Sequence, residues 1–553
     1  MAILLGEILQ TMELWLKLMK KPQPEAYVNP NLDPVLLVPG VGGSILHAVS
    51  DADGSQERVW VRFLSAEYKL KTKLWSRYDP STGKTESMDP NSTIMIPEDR
   101  HGLYAIDILD PDLMIGSEGV YYFHDMIVEM RKWGFEEGKT LFGFGYDFRQ
   151  SNSVSFDYWF TGGLISHPRI RLQETIDRLA AKLEAIYNAA GGKKINIISH
   201  SMGGLLVKCF MCLQSDIFEK YVKNWVAITA PFQGAPGSTN ATLLNGMSFV
   251  DGWEQNLFIS KWSMHQLLIE CPSVYELRGC PNFHWQHVPV LELWRERHDS
   301  EGKSHVVLES YPPCDSIEIL KQALVNNTVN YDGEDIPLPF NLDILNWANK
   351  TWEILSSAKL PSQVKFYNIY GTNLETPHSV CFGSGDKPVT DLQKLCYFQA
   401  KYVFVDGDGT VPIESAKADG LNAEARVGVP GEHRGILREP HVFRLIKHWL
   451  KAGVPDPFYN PLNDFVILPT AFEIERYKEK GVEVASLKEE WEIISKDQDD
   501  LSNNTADKMC SISVSHEGAN QSYSEAHATL VIHPGTDSKH VQLNALAVSV
   551  DAL

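Results

Sequence analysis

The sequence has few cysteines, and none precedes Cys209. Eight cysteines among 553 residues are too few for the disulfide framework of a secreted scaffold, which favours a reducing compartment. Cys209 and Cys212 form a C-x-x-C pair, but no second pair accompanies them and the surrounding pattern is apolar and helical. We interpret them as helix cysteines packed in a core rather than as a zinc or redox site.

Positive charge is also scarce. The chain has 50 Lys and Arg against 71 Asp and Glu, a formal net charge of −21. Such a chain repels phosphate backbones, and no run of lysine and arginine offsets that repulsion. The composition therefore excludes nucleic acid as the expected partner.

Long apolar runs are absent as well. A membrane-spanning helix needs about 20 predominantly apolar residues, and no segment offers them, so we expect no transmembrane segment. In residues 1–21 Glu7 and Glu13 interrupt the apolar residues and the lysines come last, unlike a signal peptide. Apolar residues at helical spacing there predict an amphipathic helix that either packs on its own domain or lies shallowly in a membrane surface. We expect a cytoplasmic protein whose membrane contact is at most peripheral.

The chain does have the apolar content for a large core, with 43% hydrophobic residues, and strand patterns alternate with helix patterns through its middle. This alternation predicts an α/β fold with a largely parallel sheet covered by helices. The predicted strands are Val35–Val38, Leu141–Phe144, Ile195–Ile198, Trp225–Ile228, Val364–Ile369, Tyr402–Val405 and Ala425–Val429, and the clearest helices are Arg171–Ala189 and Pro440–Leu450.

The same patterns predict three parts. Residues 1–30 hold the amphipathic helix, residues 31–470 form the α/β domain, and residues 471–553 form a small β-rich extension. The stretch 234–360 is rich in Trp and Leu and poor in strand patterns. We interpret it as an inserted lid or cap whose apolar residues either cover a site and contact lipid or form a buried cap core.

Residues 193–212 carry the most informative motif. A strand pattern leads into SHSMGG, and a helix pattern follows at once. This is the strand–turn–helix context of a nucleophile elbow, with Ser201 as nucleophile and Ser199 where a glycine usually stands. The turn exposes the Ser201 hydroxyl, and the backbone N–H of Met202 points to the same place.

A serine nucleophile needs a histidine base and a carboxylate that orients the base. The segment DGDGTVP offers Asp406 and Asp408 in a turn after a strand pattern, and we favour Asp408, which lies deeper in the turn. The residues that follow these two aspartates do not have the spacing of a calcium-binding loop. Among downstream histidines, His433 lies in a loop between a strand and a helix pattern, whereas His441 and His448 lie on the helix itself. We therefore predict His433 as the base.

An acyl-transfer site also needs a second N–H donor for the developing oxyanion. The glycine-rich segment PGVGGS after the first predicted strand supplies one, and we assign it to Val41. The segment lacks the glycine spacing of a dinucleotide site and the Lys-Ser/Thr of a phosphate-binding loop, so we set those readings aside.

Together VLLVPGVGGS, GYDFR, ISHSMGG, APFQGAP, DGDGTVP and the late GEH resemble the lecithin–cholesterol acyltransferase family, most closely its plant cytosolic phospholipase A branch. The resemblance extends over nearly the whole chain. It implies an α/β-hydrolase fold with a lid and a membrane-binding cap, glycerophospholipid substrates, and no metal or cofactor. It also implies Ser201, Asp408 and His433 as the triad, with Val41 and Met202 as oxyanion donors.

The sequence departs from the family pattern in two places. Secreted members carry a lid disulfide near the segment that here is Val59–Trp75, which contains no cysteine. The resemblance therefore implies a lid held by packing. Residues 153–170 are additional, and we interpret them as either an unspliced stretch of the gene or a loop beside the lid, which sequencing of the transcript distinguishes.

From these observations we expect an enzyme that forms a covalent acyl-serine from a phospholipid at a membrane surface. Water as the second acceptor makes it a phospholipase A, and a sterol or other lipid alcohol makes it an acyltransferase. We favour hydrolysis because water is always available and no motif marks a sterol site. A lipid-binding protein on a hydrolase fold that has lost its activity is the remaining alternative.

Overall fold

A computed structural model of the chain describes residues 28–62, 66–112, 120–152, 174–246, 259–300, 302–453, 459, 465–481, 525–530 and 543–548. The predicted N-terminal amphipathic helix and the additional segment 153–170 lie outside these residues. No helix in the described ranges is long and apolar enough to cross a membrane.

A seven-stranded sheet forms the centre of the fold, and every neighbouring pair in it is parallel. Its strands are β1 (Val35–Val38), β7 (Leu141–Gly143), β8 (Ile195–His200), β9 (Val222–Ile228), β14 (Lys365–Thr372), β17 (Ala425–Pro430) and β18 (Phe465–Val466). Their spatial order is β18-β17-β14-β9-β8-β1-β7. All residues of β1 and β8 are buried, as expected for parallel strands covered on both faces. The predicted α/β architecture with a central parallel sheet is confirmed.

Helices occupy the connections between these strands, and one more helix follows β18. They are α1 (Ala66–Lys69), α2 (His124–Lys132), α3 (Glu174–Ala189), α4 (Met202–Leu213), α5 (Ser215–Tyr221), α6 (Pro236–Asn245), α7 (Lys261–Leu268), α8 (Pro272–Tyr275), α9 (Ser316–Ala323), α10 (Leu342–Ser356), α11 (Ile413–Lys417), α12 (Pro440–Trp449) and α13 (Ala471–Glu479). Helix α3 buries apolar residues at helical spacing, and Gly191 and Gly192, both at positive φ, follow its end. Helix α12 begins at a proline, which lacks the N–H that a first turn leaves unpaired.

A second, four-stranded sheet has the order β11-β10-β15-β16. It contains β10 (Leu291–His298), β11 (Ser304–Tyr311), β15 (Leu374–Phe382) and β16 (Lys401–Gly407). The strand predicted at Tyr402–Val405 is therefore present but does not belong to the parallel sheet, because it pairs antiparallel with β15. A short apolar run identifies a strand without identifying its neighbours, since pairing joins residues distant in sequence.

The stretch 234–360 lies between β9 and β14, which are neighbours in the central sheet. Although its sequence is poor in strand patterns, the stretch forms several strands. It contains β10, β11, β12 (Thr328–Tyr331) and β13 (Glu334–Pro337). In β10, sequence LELWRERH, buried residues alternate only at Leu291 and Leu293, and the second half of the strand is charged or polar on both faces, so the alternation that indicates a strand is too short to recognise.

Smaller sheets complete the fold. One joins β2 (Leu46–Ser50), β3 (Gln56–Trp60) and β6 (Ser92–Met95), another joins β4 (Ser76–Asp79) and β5 (Lys84–Ser87), and β19 (Glu525–Leu530) pairs antiparallel with β20 (Leu543–Val548).

The described part of the segment Val59–Trp75 is held by packing. Leu70 and Leu74 are fully buried, and the Trp75 indole N–H donates to the Ser263 carbonyl at 3.0 Å. The seven cysteines within the described ranges are free thiols.

Candidate active site

Ser201 lies in the sharp turn between β8 and α4. Its backbone has φ 54° and ψ −131°, which is costly for a residue with a Cβ. The Ser201 N–H donates to the Ile228 carbonyl at 2.9 Å, and this bond fixes the turn against β9. A Cβ on Gly203 would lie 2.3 Å from the Pro39 carbonyl oxygen, so only glycine lets α4 begin this close to the end of β1.

Ser199, which replaces the usual glycine of the motif, is fully buried. Its hydroxyl accepts a hydrogen bond from the Trp225 indole N–H at 2.8 Å. A buried hydroxyl with a partner costs little, so this departure from the glycine pattern leaves the turn intact.

The structure brings Ser201, His433 and Asp408 into one hydrogen-bonded chain. His433 Nε2 lies 2.8 Å from Ser201 Oγ, and His433 Nδ1 lies 2.7 Å from Asp408 Oδ2. The His433 backbone N–H also donates to the Asp408 carbonyl at 2.8 Å. The imidazole therefore has one nitrogen on a hydroxyl and the other on a carboxylate, the geometry that general-base activation of a serine requires.

Asp408 is 1% exposed, and its second carboxylate oxygen is also occupied. Oδ1 accepts from the N–H groups of Thr410 at 2.9 Å and Val411 at 2.7 Å. The neighbouring Asp406 instead accepts from the Asn373 N–H at 2.6 Å. Of the two carboxylates considered from the sequence, Asp408 is the one that reaches His433.

The pKa of His433 is raised above its ordinary value. Burial alone disfavours the charged imidazolium, but the negative charge of Asp408 and its hydrogen bond to Nδ1 outweigh burial. The side chain is therefore a stronger base than a free histidine, provided that the solution is alkaline enough to keep it unprotonated.

The glycine-rich loop after β1 is fixed by three side chains. The Tyr146 hydroxyl donates to the Pro39 carbonyl at 3.0 Å, the Trp60 indole N–H donates to the Gly42 carbonyl at 2.8 Å, and the Gly40 N–H donates to the Tyr122 hydroxyl at 2.7 Å. No hydrogen bond among the described residues uses the N–H of Val41 or of Met202. These two groups remain available at the positions predicted for oxyanion donors, beside the Ser201 turn.

Sequence reasoning missed two buried side chains that connect this loop to His433. The His200 Nε2 lies 2.8 Å from the His433 carbonyl, which only accepts, so Nε2 carries the proton. Burial lowers the pKa of His200 well below its usual value, and its unprotonated Nδ1 accepts from the Tyr122 hydroxyl at 2.6 Å. Each group thus donates to the next: the Gly40 N–H to the Tyr122 hydroxyl, this hydroxyl to His200 Nδ1, and the His200 Nε2–H to the His433 carbonyl. His200 adjoins the nucleophile, whereas nothing local to Tyr122 indicates this position.

A cavity of about 400 Å³ opens beside Ser201 and His433. Its lining includes the aromatic residues Trp60, Tyr122 and Phe148 and the aliphatic residues Val41, Met264, Leu268, Val274 and Leu277. In the stretch interpreted as a cap, the apolar residues Leu243 and Leu244 are buried and Trp262 is 41% exposed. Residues 247–258 lie outside the described part of the chain.

Cys209 and Cys212 lie on α4. Cys209 is fully buried, and burial raises the pKa of its thiol well above the usual value. Within the described ranges no group of three His, Cys, Asp or Glu side chains is placed to hold a metal ion.

Comparisons with known proteins agree on one family. Residues 57–419 match the family model described as lecithin:cholesterol acyltransferase. The chain is 62% identical over the full length of both proteins to lecithin-cholesterol acyltransferase-like 4 of Arabidopsis thaliana. It is 49% identical to phospholipase A(1) LCAT3 of the same plant, covering 76% of this chain and 90% of that one. It is 23% identical to the human lysosomal phospholipase A and acyltransferase, covering 57% and 60% respectively.

Proposed function

Because the chain belongs to the lecithin:cholesterol acyltransferase family, we propose that it is a serine phospholipase A. In this proposal it releases fatty acid from glycerophospholipids such as phosphatidylcholine through an acyl-enzyme. The observation that carries the proposal is the hydrogen-bonded chain Ser201–His433–Asp408 beside a cavity with an apolar wall. The names of two relatives, a phospholipase A(1) and a phospholipase A and acyltransferase, support the substrate class.

Each residue has a defined part in the proposed reaction. His433 takes the Ser201 proton while Ser201 Oγ attacks the ester carbonyl, and Asp408 stabilises the imidazolium that forms. The N–H groups of Val41 and Met202 donate to the developing oxyanion. His433 then gives its proton to the leaving lysophospholipid oxygen, and a water activated by the same imidazole releases the fatty acid. No metal or cofactor takes part in this scheme.

The proposal also assigns the parts of the chain. Residues 31–470 form an α/β-hydrolase domain with its lid and cap inserted at about 234–360. Residues 1–30 form an amphipathic helix, and residues 471–553 form a small extension. We propose a cytoplasmic enzyme that contacts membranes peripherally.

Transfer of the acyl group to a sterol or another lipid alcohol is the alternative, and the name of the human relative supports it. The same residues serve both reactions, because the two differ only in the acceptor that reaches the acyl-enzyme. Exclusion of water from the site and binding of the acceptor decide the outcome.

The test is release of fatty acid from phosphatidylcholine with differently labelled acyl chains, with and without an alcohol acceptor. We expect Ser201→Ala to lower the rate roughly 10⁴-fold. The control is Ser356→Ala, at an exposed position of α10, which should leave the rate unchanged. Labelled free acid indicates hydrolysis and labelled ester indicates transfer. An undiminished rate in Ser201→Ala contradicts Ser201 as the nucleophile, and an absence of fatty-acid release by the unmodified protein favours a lipid-binding protein.

A further inference from the structure

Three basic side chains line the same cavity as the apolar wall. Arg434 and Arg438 follow His433 in the same segment, and Lys480 comes directly after α13. Arg438 and Lys480 are exposed, whereas Met264 and Leu268 are buried. The cavity therefore has an apolar interior and a basic entrance, in a chain whose net charge is −21.

Two acidic residues, Glu432 and Glu439, line the same cavity. The Glu432 carboxylate accepts from the Gly435 N–H at 2.9 Å, within its own turn. Glu439 is 5% exposed and pairs with Arg476 at 2.8 Å. In the part of the chain that the structure describes, neither Arg438 nor Lys480 forms an ion pair with a carboxylate. Their charges are therefore open to an anion that enters the cavity.

Lys480 is held at the entrance by the packing of α13. The Tyr477 hydroxyl donates to the Pro430 carbonyl at 3.1 Å, and Tyr477 is 3% exposed. The Arg476–Glu439 pair and a 3.4 Å contact between Glu473 and His441 join α13 to the start of α12. The segment that carries His433 and the helix that precedes Lys480 thus form one fixed unit.

We propose that Arg438 and Lys480 form a subsite for the phosphate of a glycerophospholipid whose acyl ester lies at Ser201. This inference rests on the proposed function and deepens it. In such a lipid the phosphate is joined to the glycerol that carries the ester, so it lies on the solvent side of the ester when the acyl chain enters the apolar interior. Arginine and lysine make charge-assisted hydrogen bonds to phosphate oxygens. Selectivity for a phospholipid over a neutral glyceride follows from these bonds.

The experiment compares two dissolved substrates that differ in the phosphate: dihexanoyl phosphatidylcholine and dihexanoylglycerol, both below their micelle concentrations. The measured quantity is the ratio of kcat/KM for the phospholipid to kcat/KM for the glyceride. We expect the double variant Arg438→Gln, Lys480→Gln to lower this ratio about tenfold, mainly through KM for the phospholipid. The control is the double variant Lys394→Gln, Lys478→Gln, which also removes two positive charges, from exposed residues outside the cavity lining. It should leave the ratio within about twofold of that of the unmodified protein.

A second measurement uses inhibition of dihexanoylglycerol hydrolysis by hexyl phosphate and by inorganic phosphate. We expect hexyl phosphate to compete in the unmodified protein and to lose about tenfold in potency in the double variant. Equal inhibition by inorganic phosphate would indicate a general anion site and would overturn a lipid subsite.

Other results separate this inference from the proposed function. An unchanged ratio in an active double variant overturns the subsite alone, as does an equal loss on both substrates, which indicates a change of cavity shape. An unmodified protein that hydrolyses neither substrate overturns the proposed function and the subsite with it.

Discussion

At the scale of single residues, the proton affinity of His433 is the property on which the proposed chemistry depends. Asp408 raises the pKa of His433 against the opposing effect of burial. A base must be unprotonated, so the activity of the unmodified protein is expected to fall as the pH decreases through this raised pKa. The position of that acid limb therefore reports the charge of Asp408.

Asp408→Asn removes the charge and keeps the shape of the side chain. We expect kcat/KM to fall by roughly 10⁴-fold. The remaining activity should have its acid limb at lower pH, because burial then lowers the pKa of His433 with no carboxylate to oppose it. The measurement is kcat/KM against pH. Asp406→Asn is the matched control, and a shift of the limb in that variant instead would assign the orienting role to Asp406.

Tyr122 has a positioning role that Tyr122→Phe tests. The change leaves the Gly40 N–H and His200 Nδ1 without their partner in a buried site, which costs about 1–3 kcal/mol of unfolding free energy. We expect kcat to fall about tenfold, because the hydrogen bonds that connect the loop carrying Val41 to the segment carrying His433 are interrupted. Denaturant unfolding and steady-state kinetics measure the two effects. Tyr104→Phe is the control, since the Tyr104 hydroxyl makes no hydrogen bond within the described ranges. A normal kcat with reduced stability would mean that Tyr122 serves only the fold.

At the scale of elements, the site forms where segments of both sheets meet. Ser201 follows β8 and His433 follows β17, both at carboxyl ends of parallel strands. Asp408 follows β16 of the second sheet and is joined by a bridge to Leu374, the first residue of β15, which begins two residues after the end of β14. The second sheet thus supplies a carboxylate to the side of the first sheet where the carboxyl ends of its strands carry Ser201 and His433.

The contact between α4 and the end of β1 is the tightest point of this arrangement. Gly203→Ala places a methyl group against the Pro39 carbonyl, and the strain costs about 1–3 kcal/mol of stability. We expect activity to fall as well, since the same shift moves the Met202 N–H. Thermal unfolding and fatty-acid release measure both. Gly385→Ala, where no atom lies within 4 Å of the new Cβ, is the control, and equal behaviour of the two variants would contradict the steric argument.

At the scale of the whole molecule, the excess of negative charge limits how the protein meets a membrane. A net charge of −21 opposes attraction to anionic lipid, although the basic entrance is a local exception. Apolar surface must then supply most of the proposed peripheral contact. The family resemblance inferred from the motifs is confirmed by the match of residues 57–419 and by the full-length relative.

This balance predicts the response of membrane binding to salt. For Ser201→Ala, which avoids hydrolysis, we expect binding to phosphatidylcholine vesicles to persist when the ionic strength rises from about 0.01 M to 0.15 M. Adding phosphatidylglycerol should not strengthen binding. Co-sedimentation with vesicles measures both. Binding that rises with anionic lipid and is lost in salt would show that electrostatic attraction drives the contact.

Features that are local in the chain could be predicted from the sequence. The nucleophile elbow was predictable because its strand, turn and helix are consecutive, and Asp408 and His433 were favoured by their turn and loop settings. The central strands were predictable for the same reason, since their apolar runs need no partner to be recognised.

Contacts between distant segments became known from the folded chain. Folding placed β16 in the second sheet and Tyr122 between Gly40 and His200. It also brought Lys480, beyond the predicted domain boundary at residue 470, to the entrance of the cavity. Gly40 and Tyr122 are 82 positions apart, and Ser201 and His433 are 232 apart. Hydrogen bonds and ion pairs at such separations depend on packing, and no periodicity in one chain encodes them.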